Sequence, residues 1–153
     1  MNSITDKLKE LDINLPEAPA PVGAYVAFKK ADNMLFISGQ LPIGIDGKII
    51  KGKIGTDLTL ADGQTASRLC AINILAQAKK AMNGDLSKIK NCIKITGFVN
   101  SSDNFVDQPK VINPASETLS TVFGDKGKHT RAAVSTNSLP LGAAVEIDAI
   151  FEI

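Results

Sequence analysis

Histidine and cysteine are scarce in this chain, and the scarcity removes several chemistries at once. Among 153 residues there is one histidine, His129, and there are two cysteines, Cys70 and Cys92. Three such residues far apart in sequence make no zinc-binding spacing, so no metal site is expected. Both cysteines sit among apolar neighbours and read as small buried hydrophobes kept reduced. Gly39, Gly44 and Gly47 are followed by no Gly-Lys-Ser/Thr and open no helix, so they mark turns rather than a phosphate cradle. Ser38 lacks both a histidine nearby in sequence and a Gly-x-Ser-x-Gly setting, and reads as a structural serine. An excess of one charge is missing too: 17 basic and 16 acidic residues give a net charge of +1. That balance offers nothing to a nucleic-acid backbone. No run of about 18 apolar residues is present to span a membrane. Asp6, Lys7, Lys9 and Glu10 stand where a secretory signal would need an apolar core. The expectation is a cytoplasmic protein.

Residues 1–153 read as a single domain, with 1–20 as an N-terminal helix and an extended lead-in. Ser3-Ile4-Thr5-Asp6 has the form of a capping box, and the helix it opens runs to about Leu11. Pro16, Pro19 and Pro21 then enforce an extended path. Ala24 to Lys29 alternates as a strand; Met34 to Ser38 is a continuous apolar run, expected to be a fully buried strand. Asp46-Gly47 signals a hairpin with a short edge strand after it.

From Thr59 the period changes. Thr59-Leu60-Ala61-Asp62 is a second capping box, and Ala66, Leu69, Ile72, Leu75 and Ala76 recur at helical steps until Gly84 stops them. Ile89 to Asn100 reads as a long strand with Cys92, Lys94 and Thr96 on one face. A second helix follows Pro109, with Val111, Ala115, Leu119 and Val122 on one side. Two C-terminal strands flank the turn at Ser138–Gly142. The order implies an α+β fold, one mixed sheet with two main helices on one face and an extra N-terminal helix. Met34, Phe36, Val134, Val145 and Ile147 make strands apolar on both sides, and two helices cover only one. The face left over needs a partner, most simply another copy of the chain.

The last two strands carry the strongest functional signal. Arg131 lies on the first and Glu146 on the second, each an ionised group among small or apolar neighbours. Burying such a charge without a partner or ligand costs several kcal/mol. Arg131 serves either a surface ion pair with Asp125 or Glu146, or a fork that holds a carboxylate. Glu146 is either a solvated cross-strand partner, like Asp148 and Glu152 on the same face, or a carboxylate that places a water. His129 reads as a partly exposed residue at a strand start. A packing ring accounts for Tyr25, and a helix cap accounts for Asn113 beside Pro114.

At these residues the chain resembles a known family. Pro21-Val22-Gly23-Ala24-Tyr25, then Leu35-Phe36-Ile37-Ser38-Gly39-Gln40-Leu41-Pro42, then Arg131 with Leu139-Pro140 and Val145-Glu146-Ile147 are similar to the RidA (YjgF, L-PSP) family. The match runs from about Pro21 to Ile153. The N-terminal helix and the extra length between Gly44 and Thr59 point to its longer, less characterised branch. The resemblance implies a chorismate-mutase-like fold (bacillary type) and a homotrimer with sites between subunits. It also implies cofactor-free hydrolysis of reactive enamines and imines such as 2-aminoacrylate to 2-keto acids. Carried over by position, it makes Arg131 the holder of the substrate carboxylate and Glu146 the residue that orients the water. Tyr25, Gly39 and Asn113 line the cleft, and Ala133 stands where RidA has a cysteine. Two other roles stay open beside the deaminase: a trimer that binds a small carboxylate metabolite without turnover, and the family's older label of endoribonuclease or translation inhibitor.

Overall fold

Ser3 and Thr59 each open a helix by the same reciprocal device. In the computed structural model, which describes residues 3–153, the Asp6 amide donates to Ser3 Oγ at 3.1 Å and the Ser3 amide donates to Asp6 Oδ2 at 3.0 Å. This box starts α1 (Ile4–Glu10). Thr59 and Asp62 repeat it at 3.2 and 2.8 Å and start α2 (Leu60–Ala81). The hydrogen bonds from Ser3 and Thr59 hold the Asp6 and Asp62 carboxyls below their ordinary range. At the far end of α2, Asn83 and Gly84 turn left-handed (φ 53 and 91) and the Gly84 amide bonds back to the Lys79 carbonyl at 2.8 Å.

α3 (Gln108–Phe123) buries Val111, Ala115, Leu119 and Val122 completely and ends at Gly124 (φ 64). Its first residues include Pro109, but the capping position falls to Asp107, and Asn113 and Pro114 lie inside the helix. Pro114 has no amide to offer the Lys110 carbonyl. Gln64 of α2 repairs the deficit, donating Nε2 to that oxygen at 3.0 Å and tying the two helices together.

Five strands form one sheet: β1 (Phe28–Ala31), β2 (Met34–Gln40), β3 (Asn91–Asn100), β4 (Thr130–Thr136) and β5 (Val145–Glu152), in the order β1-β2-β5-β3-β4. β3 and β4 are parallel, joined through α3, and every other pairing is antiparallel. On β5, Val145, Ile147, Ala149 and Phe151 are buried under the helices. Glu146, Asp148, Ile150 and Glu152 alternate onto the opposite, bare face. Phe36 and Val134 stand on that face with 43% and 45% of their surface exposed. The α+β expectation, with the helices on one face of a mixed sheet, therefore holds. Among the described residues no helix is long and apolar enough to cross a membrane.

Several local expectations fail for identifiable reasons. Residues 24–27 are not a strand: Gly23 (φ 142) bends the segment, and ladder pairing begins at Phe28 opposite Ile37. β2 is buried on one side only, Leu35 and Ile37 inward and Phe36 outward. After Asp46-Gly47 there is a bridge between Ile43 and Ile49 but no edge strand. Cys92, Lys94 and Thr96 do not share a face. A bulge between Cys92 and Lys94 shifts the register, so Cys92 points into the core while Lys94 is exposed.

Gly97 sits where β3 meets α3, and a Cβ there would lie 2.5 Å from Ile112 Cδ1. Gly97→Ala should destabilise the fold by about 1–3 kcal/mol through overpacking, read as a lowered urea midpoint at unchanged m-value.

Candidate functional site

The chain after β2 and the lead-in before β1 are drawn together over the end of the sheet by two buried side chains of α2. Asn73 Nδ2 donates to the Leu41 and Ile43 carbonyls at 2.9 and 3.0 Å. Gln77 Nε2 donates to the Pro19 carbonyl at 2.6 Å. The result is a cavity of about 580 Å³ whose wall includes Pro19, Tyr25, Gly39, Gln40, Leu141 and Glu146. Asn73 and Gln77 are a scaffold that sequence reading overlooked; the signal was two polar residues one turn apart in the otherwise apolar stretch from Cys70 to Ala78.

Glu146 enters this cavity half-buried from the bare face of β5. Gly39 makes room for it: a Cβ there would collide with Glu146 Oε1. Burial raises the Glu146 carboxyl above its ordinary range, and the neighbouring Asp148 charge adds to the effect. Tyr25 stands at the rim with its hydroxyl 3.4 Å from the Val22 amide. Ser38 is structural, donating Oγ to the Val26 carbonyl at 2.7 Å. Leu141 holds an uncommon left-handed conformation (φ 60) in the turn Pro140–Gly142.

Arg131 is elsewhere. It pairs with Ile95, whose side chain is in the core, so it lies on the helix side of edge strand β4. Its guanidinium reaches α3: Nη1 donates to Ser116 Oγ at 3.1 Å, and Nη2 donates to Asn113 Oδ1 at 2.8 Å and the Pro109 carbonyl at 3.2 Å. These bonds leave at least two of the five N–H groups for a ligand. The expected ion pairs are not formed: Asp125 takes Lys128 at 2.8 Å instead. Ala133 follows two residues along β4 on the same side, opposite Gly97. Arg131 lines a second, shallower hollow with Ser116, Ser120, Lys128 and His129.

Arg131 and Glu146 are thus not on adjacent strands, because β3 runs between β4 and β5. Nor are they on one face: Glu146 sits opposite Phe98, and Phe98 opposite Val134 on the bare side. Tyr25, Gly39 and Glu146 gather at one place on the chain, and Asn113 and Arg131, with Ala133 beside them, at another. The guanidinium can pair with an anion, and the carboxyl can hold or release a proton.

A family model described as "YjgF/chorismate mutase-like, putative endoribonuclease" matches residues 6–152. Protein TCP17 of Trypanosoma cruzi is 42% identical, over 98% of this chain and 94% of that protein. Among solved structures, protein Atu1372 of Agrobacterium tumefaciens is 52% identical, with a TM-score of 0.90 over 98% of this chain and 91% of its own. Escherichia coli TdcF, solved with bound serine, is 26% identical, with a TM-score of 0.62 over 90% of this chain and 94% of its own.

A carboxyl whose folded pKa is raised binds its proton more tightly in the folded state, so it works against stability once pH rises above that pKa. Glu146→Gln should therefore stabilise the protein at neutral pH. The gain should shrink as pH falls through the carboxylate range, followed by thermal unfolding across pH.

Proposed function

Since this chain belongs to the YjgF/chorismate mutase-like family, we propose that it is an imine deaminase, hydrolysing reactive 2-imino acids of the 2-aminoacrylate type to 2-keto acids and ammonia. The observation that carries this reading is the pair of half-sites: a guanidinium with donors to spare, and a half-buried carboxylate of raised pKa in a cavity of about 580 Å³. They complete one another in a homotrimer, with Arg131 of one copy facing the Glu146 cavity of the next. Such an assembly also covers Phe36 and Val134.

The chemistry asks little of the protein. The enamine tautomerises to an imine, whose carbon is electrophilic once its nitrogen is protonated. Arg131 holds the substrate carboxylate. Glu146 accepts a proton from water as the water oxygen adds to that carbon, returns it to the nitrogen, and takes the remaining hydroxyl proton as the C–N bond breaks and the C=O bond forms. Ammonia leaves and the keto acid remains. A carboxyl whose pKa is raised by burial holds its proton more readily, which suits both halves of that exchange, and positioning supplies much of the acceleration. Ala133 offers no thiol, but its backbone groups remain available to the imine.

The serine held by TdcF supports a small carboxylate as ligand. It is equally compatible with a binding trimer that senses a metabolite without turnover. The family description favours RNA cleavage, but the net charge of +1 and a single histidine weigh against it.

Keto-acid release from freshly generated imines decides among these. Arg131→Ala should weaken binding of pyruvate, a product mimic, by about tenfold or more, the loss of charge-assisted hydrogen bonds, and Arg131→Lys should not restore it. Glu146→Gln should bind pyruvate and lose turnover. No rate change in Glu146→Gln would leave the binding trimer standing, and Arg131-dependent cleavage of RNA would reverse the ranking. A monomer in sedimentation equilibrium at micromolar concentration would remove the shared site.

A further inference from the structure

His129 is the single histidine of the chain, and both ring nitrogens are engaged. Nδ1 lies 2.6 Å from the Gly127 carbonyl oxygen and Nε2 lies 2.9 Å from Ser116 Oγ. A carbonyl oxygen only accepts, so Nδ1 of the neutral ring carries the proton. Nε2 then offers a lone pair, and the Ser116 hydroxyl donates to it. With its proton committed, Ser116 Oγ has only lone pairs left, and Arg131 Nη1 donates into one at 3.1 Å. Each direction follows from the one before it, back to a backbone carbonyl. That carbonyl belongs to a closely packed residue: Gly127 is buried, and a Cβ there would collide with the backbone of Leu119 and Ser120.

We propose that Ser116 and His129 are positioning residues, a one-way hydrogen-bond relay that aims the Arg131 guanidinium before a carboxylate arrives. The inference rests on Arg131 being the carboxylate anchor. Asn113 Oδ1 and the Pro109 carbonyl fix Nη2, so the relay supplies the third point that stops the planar group from rotating. An arginine side chain free to sample its rotamers loses that freedom on binding; one already held does not. Without His129, the Ser116 hydroxyl is free to turn back toward a carbonyl of its own helix, as serine in a helix commonly does, and the acceptor offered to Arg131 loses its fixed direction.

A single histidine makes the test direct. Two-bond nitrogen–proton spectra of the imidazole at about pH 8, above the ordinary histidine range, should show the proton on Nδ1. Ser116→Ala should move the Nε2 resonance and leave Nδ1 protonated. A wild-type ring protonated on Nε2 would overturn the relay. Pyruvate titration tests its purpose. Ser116→Ala and His129→Ala should each weaken binding about three- to tenfold, one hydrogen bond's worth of positioning. His129→Gln, whose carbonyl can still accept from Ser116, should recover most of the loss. Ser116→Ala added to Arg131→Ala should cost nothing more, because Ser116 acts only through Arg131. Additive losses, or Ser116→Ala binding like wild type while Arg131→Ala fails, would overturn this inference and leave the anchor intact. Wild-type binding by Arg131→Ala would remove the anchor and the relay together.

Discussion

The strict alternation of β5 decides where everything else can go. Val145, Ile147, Ala149 and Phe151 are sealed under the helices, and Glu146, Asp148 and Glu152 face away. A slip of one residue would exchange the two sets and drive three carboxylates into a core with no cation to meet them. The register is therefore locked by a penalty of several kcal/mol for each misplaced charge. β2 and β3 take their own register from this strand, one on each side. The cavity exists because the same alternation delivers Glu146 to the bare face where Gly39 leaves it space.

A consequence is that the two charged groups of interest live under different rules. Arg131 is secured by α3, through three acceptors on one helix. Glu146 is tolerated rather than secured, with its pKa pushed up by burial and by Asp148. A group held against its own preference is typical of sites that give up stability for function. The buried thiols show the contrast. Cys92 is pushed up to about 12 by burial, and Cys70 is raised by burial and then by the Glu146 charge. Both are inert packing groups under the sheet.

Much of the fold was legible because its signals are local. The boxes at Ser3–Asp6 and Thr59–Asp62 and the stripe of Val111, Ala115, Leu119 and Val122 each depend on residues within a few turns of one another. The bulge at Cys92/Lys94 depends on the partner strand, and nothing in β3 announces it. The same limit explains the site. Arg131 and Glu146 stood out as charges in apolar runs, but their relation is set by strand order. Two consecutive strands look adjacent in sequence, and here β3 returns to lie between them. Asn113 read as a helix cap, but it lies inside α3, and its partner on β4 is 18 residues away.

The pairing of Met34 with Glu152, and of Leu35 with Phe151, joins residues more than a hundred positions apart. Among the strand pairings of the described residues, the β1–β2 hairpin alone forms from nearby chain. A topology dominated by such distant pairings has a high contact order and folds slowly, because the loop-closure entropy is lost before the contacts that offset it are made. The helices can form early, but the sheet has no centre until β5 enters between β2 and β3. Until then two long strands present open edges, the situation in which chains pair with one another instead of with themselves. The bare face of the finished sheet, where Phe36 and Val134 stand exposed beside Glu146 and Asp148, thus arises late and is absent from the partly folded chain.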